Sequence, residues 1–184
     1  LLLLLALVSF MGMPYTVLMP VFAGTILRGG PQALGFLLGA TGVGALAGAL
    51  FLASRRSILG LGRIIVIASS LFGIGLIGFS FSRLFWLSVV LMVLTGFGMM
   101  VHMTSTNTVL QTIVDEDKRG RVMSFYTMAF VGMVPFGSLF AGSLASAIGA
   151  PETTMIGGIS CILGSALFAK KLPSLREMIR PIYI

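Results

Sequence analysis

His102 is the single histidine of the chain, and it opens the densest run of polar side chains in the sequence. Thr104, Ser105, Thr106, Asn107, Thr108, Gln111 and Thr112 follow it closely. An imidazole, with an ordinary pKa of ~6.5, can load and release a proton at physiological pH. The same ring kept neutral can instead hydrogen-bond a neighbouring helix, and the sequence leaves both readings open. Thr104, Thr108 and Gln111 recur at i, i+4 and i+7, so they share one helical face, with Asn107 beside them. Such hydroxyls and amides can bind the polar part of a small molecule, or equally the backbone of an adjacent helix. Tyr15 and Thr16, beside Pro14, form a second and smaller polar set. No phosphate-cradling loop, metal-ligand cluster or nucleophile–base pair is visible, so no cofactor or metal is expected.

These groups sit in apolar surroundings. Of the 184 residues, 57% are hydrophobic and 9% charged, with a mean hydropathy of +1.09. Ordinary soluble domains carry ~25% charged residues. A soluble domain this apolar would lack the charge to cover itself, so the expected solvent is lipid. Six apolar runs are predicted as membrane-crossing helices, at 1–27, 33–53, 64–81, 84–114, 122–148 and 153–169. About 20 helical residues at ~1.5 Å each are enough for a hydrocarbon core of ~30 Å. The fold class is therefore all-α, a six-helix bundle over 1–171 with a cytoplasmic tail at 172–184. Pro14, and Pro135 with Gly137, predict helix bends, because proline removes a backbone donor. Gly35, Gly39 and Gly42, with Gly44-x-x-x-Gly48 beside them, predict a close helix–helix approach. Cys161, in an apolar run, reads as a packing residue.

The charges mark the ends of the helices. No Asp, Glu, Lys or Arg occurs from Phe85 to Val114 or from Val122 to Pro151. Between these arms, Asp115-Glu116-Asp117-Lys118-Arg119-Gly120-Arg121 is predicted as a short water-facing turn. Arg55, Arg56, Arg63, Lys118, Arg119, Arg121, Lys170, Lys171, Arg176 and Arg180 fall on one side of the predicted membrane, ten in all; Arg28 and Arg83 fall on the other. Ten against two places the hinge and both termini of the segment in the cytoplasm. The net charge of +7 is thus spread over helix ends, and nucleic acid is not an expected partner.

Four stretches carry a family resemblance: Thr106-Asn107-Thr108-Val109-Leu110-Gln111-Thr112-Ile113-Val114, Arg119-Gly120-Arg121-Val122-Met123-Ser124, Pro135-Phe136-Gly137-Ser138-Leu139-Phe140-Ala141-Gly142 and Gly149-Ala150-Pro151. In this order they resemble the second half of major facilitator superfamily transporters, nearest to the bacterial enterobactin-exporter-like branch of transmembrane secretion effectors. The resemblance implies helices seven to twelve of a twelve-helix fold, built from two inverted three-helix repeats. It also implies an amino-terminal six-helix half outside this sequence, or a second copy in its place. The first and fourth spans would line a central cavity, the second and fifth would face the other half, and the third and sixth would face lipid. Arg55, Arg56, Gly62 and Arg63 resemble the family's glycine-plus-basic loop, although Ala53 and Ser54 stand where an acid is expected. Together with Asp115, Asp117, Arg119, Gly120 and Arg121 they are the candidate cytoplasmic gate, with Asp115, Glu116 or Asp117 as substitute partner for Arg55 or Arg56.

The implied activity is secondary transport in the bacterial inner membrane, as proton-coupled efflux of a small organic molecule such as a siderophore or drug. Uptake and lipid flipping are the alternatives within transport; a scaffold, or an intramembrane enzyme centred on His102, lies further off. With no acid in any span, a proton-binding carboxylate is expected in the missing half.

Overall fold

The computed structural model describes residues 1–55 and 60–179, with side chains described through 172. Six helices among the described residues are long and apolar enough to cross a membrane. They are α1 (Leu2–Ile26), α2 (Gly30–Ala53), α3 (Leu61–Phe81), α4 (Phe85–Ile113), α5 (Glu116–Ile148) and α6 (Ala150–Ile179, apolar over Ala150–Leu172).

The joints follow residue chemistry. α2 starts with Pro31 in its first turn, after Arg28 and Gly30 take left-handed φ values of 54° and 61°. Proline's fixed φ suits a first turn, where its missing N–H is not needed. A single residue, Gly149 at φ 102°, separates α5 from α6. The charged hinge differs from the expected seven-residue turn. Only Val114 and Asp115 are extended, and Glu116 already begins α5. Charge reports contact with water rather than backbone shape, and Glu116 and Asp117 suit the positive end of a helix dipole. At the other end of the chain, α6 runs on as helix through the expected tail to Ile179.

The prolines act through widened turns. α1 leaves α geometry at Val8–Gly12, before Pro14, and again at Phe22–Ile26, after Pro20. α5 does the same at Met128–Gly132, ahead of Pro135. A π turn absorbs an extra residue where a proline interrupts the regular donor ladder.

The helices touch backbone to backbone. A methyl added at Gly44 would overlap the Val93 carbonyl of α4, and one at Gly96 would overlap the Thr41 carbonyl of α2. Gly98 lies against Ala68 and Phe72 of α3, and Gly73 against the Gly158 carbonyl of α6. Lipid tails are as apolar as leucine, so close van der Waals contact and weak Cα–H···O bonds must hold the helices. Only one of the two glycine series on α2 is used this way. Gly35, Gly39 and Gly42 face open space, while Ala33, Leu37, Ala40, Gly44 and Gly48 form the buried seam.

α3, which the resemblance implied would face lipid, is packed on three sides and open on one. Phe72 meets Tyr15 of α1 edge-on at 6.1 Å, and Phe79 lies 4.4 Å from Phe22, centroid to centroid. Contacts to α4 and α6 enclose α3 on its other sides, leaving an exposed stripe at Ile67, Ile74 and Phe81. Larger apolar faces are open on α2, at Phe36, Val43, Leu46 and Leu50, and on α5, at Phe125, Phe136 and Leu139. α3 is the central strut of the bundle.

Gly98→Val would drive two methyls into the backbone of Ala68 and Phe72, so it should cost on the order of 3 kcal/mol. Gly42→Ala, facing open space, should stay within ~0.5 kcal/mol. Thermal unfolding of the full-length protein in detergent separates the two.

Candidate functional site

α1, α4 and α5 converge near the charged hinge, where Leu5, Leu110 and Tyr126 form a small buried cluster. The antiparallel return of the chain at Val114–Asp115 brings Tyr126 back beside the polar run of α4. Tyr126 donates its hydroxyl to the Met103 carbonyl at 3.2 Å, and the side chain of Asn107 lies beside the same hydroxyl. Gln111 donates an Nε2 hydrogen to Asn107 Oδ1. The result is a continuous polar strip, buried at Tyr126, half-buried at Asn107 and exposed at Gln111. Thr104 and Thr108 flank it, half-buried, but Thr108 and Thr112 spend their hydroxyl protons on the carbonyls of Thr104 and Thr108. Their oxygens keep acceptor capacity for a further partner. Tyr126 stood outside the main candidate set because no spacing rule links positions on either side of a turn.

The other candidates lie elsewhere. Tyr15 is buried against Phe72, with its hydroxyl beside Thr41 of α2; Thr16 points outward and donates to the Met13 carbonyl at 3.0 Å. Ten residues, or ~15 Å of helix, separate Tyr15 from Leu5 in the Tyr126 cluster. His102 faces α3 rather than the strip. It is buried with its ring close to the Ile65 backbone, and neither ring nitrogen reaches a partner in hydrogen-bond geometry. Ser105 and Thr106, on the same face of α4, and Ser9 of α1 are also buried without partners. Such groups ordinarily cost stability. The Ile65 backbone of α3 is the nearest group to the hydrogen bond with a neighbouring helix expected of a structural histidine.

At the charged end the ion pairs are local. Lys118 Nζ lies 3.0 Å from Asp115 Oδ2 and Arg119 Nη1 lies 3.9 Å from Glu116 Oε1, both pairs three residues apart and exposed. Exposed pairs of this kind contribute little. Arg55 instead places its guanidinium 6.0 Å from the Phe51 ring centroid. Among the described residues no ion pair joins Arg55 to Asp115, Glu116 or Asp117. Because the helix starts at Glu116, Lys118 and Arg119 come round one turn on to meet Asp115 and Glu116. Asp117, Gly120 and Arg121 are exposed, Gly62 packs on Leu172, and Arg63 is exposed at the start of α3. Arg56 lies outside the described residues. The two bends also meet: Gly137, next to Pro135, lies against the Phe10 carbonyl in the wide turn that precedes Pro14.

Comparison with known proteins agrees with this architecture. The family described as transmembrane secretion effector matches residues 3–180. The chain belongs to this family of the major facilitator superfamily. It is also similar to a Staphyloferrin A transporter of Staphylococcus aureus, at 28% identity over 157 residues. The matched region is 85% of this chain and 39% of that protein, so the chain spans well under half the length of its curated relative. No solved structure matches the chain.

Membership of the major facilitator superfamily and the six apolar helices make this a multi-pass membrane segment. Within it, Asn107→Ala and Tyr126→Phe should be coupled, because each removes one side of the same contact. A double-mutant cycle on unfolding should give a coupling near the ~0.6 kcal/mol average for hydrogen bonds between membrane helices. Strict additivity would show that the two side chains act separately.

Proposed function

We propose that the full-length protein is a secondary active transporter and that this chain supplies one six-helix half of it, equivalent to helices seven to twelve. A secondary transporter needs two arrangements of similar free energy and a site near mid-membrane that each arrangement opens to one side. The observation that carries this reading is the strip Gln111–Asn107–Tyr126, which leads inward from the charged hinge, exposed to buried, across α4 and α5 in arms that contain no charge. Neutral donors and acceptors can hold a polar solute without trapping it. The contact between the two bends, Gly137 on Phe10, suits a bundle whose α1 and α5 move together.

The proposed cargo is a small organic molecule of the siderophore or drug kind, a choice supported by the printed name of the staphylococcal relative. Export driven by the proton gradient is the proposed direction and energy source. His102 is the one side chain in the spans whose ordinary pKa lies near neutrality. The ten-to-two division of cations supports a cytoplasmic location for the charged end, in a bacterial inner membrane. Uptake is the second reading, since that relative's name gives a transporter without a direction. An enzyme is the weaker reading, because His102 and the strip lie on different faces of α4 and do not form an acid–base pair.

Asn107→Leu with Gln111→Leu in the full-length protein tests this directly. Efflux of ethidium and of staphyloferrin A from loaded vesicles should fall about 10-fold or more for at least one probe, while membrane level and unfolding temperature hold. Unchanged efflux of a transported probe would remove the strip from the pathway and favour a scaffold role for this half.

A further inference from the structure

α3 and α6 pack along a shared length, with Gly73 against Gly158, the Ser70 hydroxyl 2.7 Å from that of Ser165, and Gly62 against Leu172. The outer flank of each helix is an exposed apolar ridge. On α3 the ridge is Ile67, Ile74 and Phe81, whose seven-residue spacing returns to nearly the same side. On α6 it is Ile159, Leu163 and Leu167. Both ridges end in cations at the same end of the bundle. Arg63 stands one turn before Ile67, and Lys170 and Lys171 follow Leu167; all three are exposed. The approach of Gly62 to Leu172 gathers them around one junction. Among the described residues the ion pairs are Lys118 with Asp115 and Arg119 with Glu116, and none involves these three cations.

We propose that this junction is a binding site for an anionic phospholipid. The two ridges receive the acyl chains, and Arg63, Lys170 and Lys171 hold the phosphate. Apolar ridges on a bilayer-crossing helix suit acyl chains, and the cations stand where the ridges end, where headgroups would lie. The guanidinium can grip two phosphate oxygens at once, while each lysine acts as a point charge on a flexible stem. A zwitterionic lipid brings its own cation into the cluster and gains less. The site is independent of what the protein carries and of the direction of transport.

The full-length protein in detergent, titrated with phosphatidylglycerol, phosphatidylcholine or inorganic phosphate and read by native mass spectrometry, provides the test. Phosphatidylglycerol should bind more tightly than phosphatidylcholine, and inorganic phosphate should not displace it. Arg63→Gln and Lys171→Gln should each weaken phosphatidylglycerol ~5-fold, as expected of a cation at a lipid surface. Arg83→Gln, which removes an exposed cation at the opposite end, should leave it unchanged. All three are exposed single substitutions, and matching unfolding temperatures establish that the variants fold. Equal binding of the two lipids would overturn the proposal, as would displacement by phosphate. So would an equal loss with Arg83→Gln. Absence of lipid binding would also overturn it, and would mean that the rest of the protein covers the ridges.

Discussion

Backbone contact at glycine is the interaction on which this bundle depends. In hydrocarbon no solvent drives apolar side chains together, so helices associate only where their main chains come close enough for dense dispersion contact. Gly44, Gly96, Gly98 and Gly73 each place a main-chain atom of a neighbouring helix where a methyl would otherwise stand. Because three helices reach α3 in this way, or through ring contacts as at Phe22–Phe79, α3 becomes the fixed element. α2, which is held closely against α4, and α5 keep open outer faces with room for further protein or lipid.

The same dry setting explains where polarity survives. A side-chain hydroxyl in a span most often bonds a carbonyl of its own helix, as Ser69, Thr95 and Thr154 do. The strip from Gln111 to Tyr126 departs from that habit by joining side chains to each other and across helices. His102, Ser105 and Thr106 depart from it further, buried without a partner in hydrogen-bond geometry among the described residues. Polar groups that do not serve the backbone are the ones with capacity left for a solute or a proton. Charge is confined to the helix ends, and this is also why the ends of α3 and α6 can collect cations at one level.

Much of this was readable from residues alone, and the failures have physical causes. The number and approximate extent of the helices follow from apolar run length, which the bilayer thickness dictates. The hinge was found from its charges, but its shape was not, because acids are equally at home in a turn and in a first helical turn, as at Glu116 and Asp117. Two glycine series lay side by side on α2, and composition cannot say which one meets α4. That depends on how the helix is rotated by its neighbours. Asn107 and Gln111 were evident from their spacing, whereas their link to Tyr126 depends on how α5 folds back past α4. Tyr15 and Thr16 are adjacent in sequence, yet one is buried and the other exposed, because successive helical positions are turned by about 100°.

The measurement that bears most directly on this account is a cross-link between α3 and α6 within the membrane. Their serine hydroxyls at 70 and 165 stand 2.7 Å apart, a separation that paired thiols can bridge if the packing is as described. In full-length protein with Cys161→Ala, the double variant Ser70→Cys and Ser165→Cys should form an intramolecular disulfide on mild oxidation in native membranes. If both thiols remain free and reactive to maleimide after oxidation, α3 does not hold the bundle in the way described.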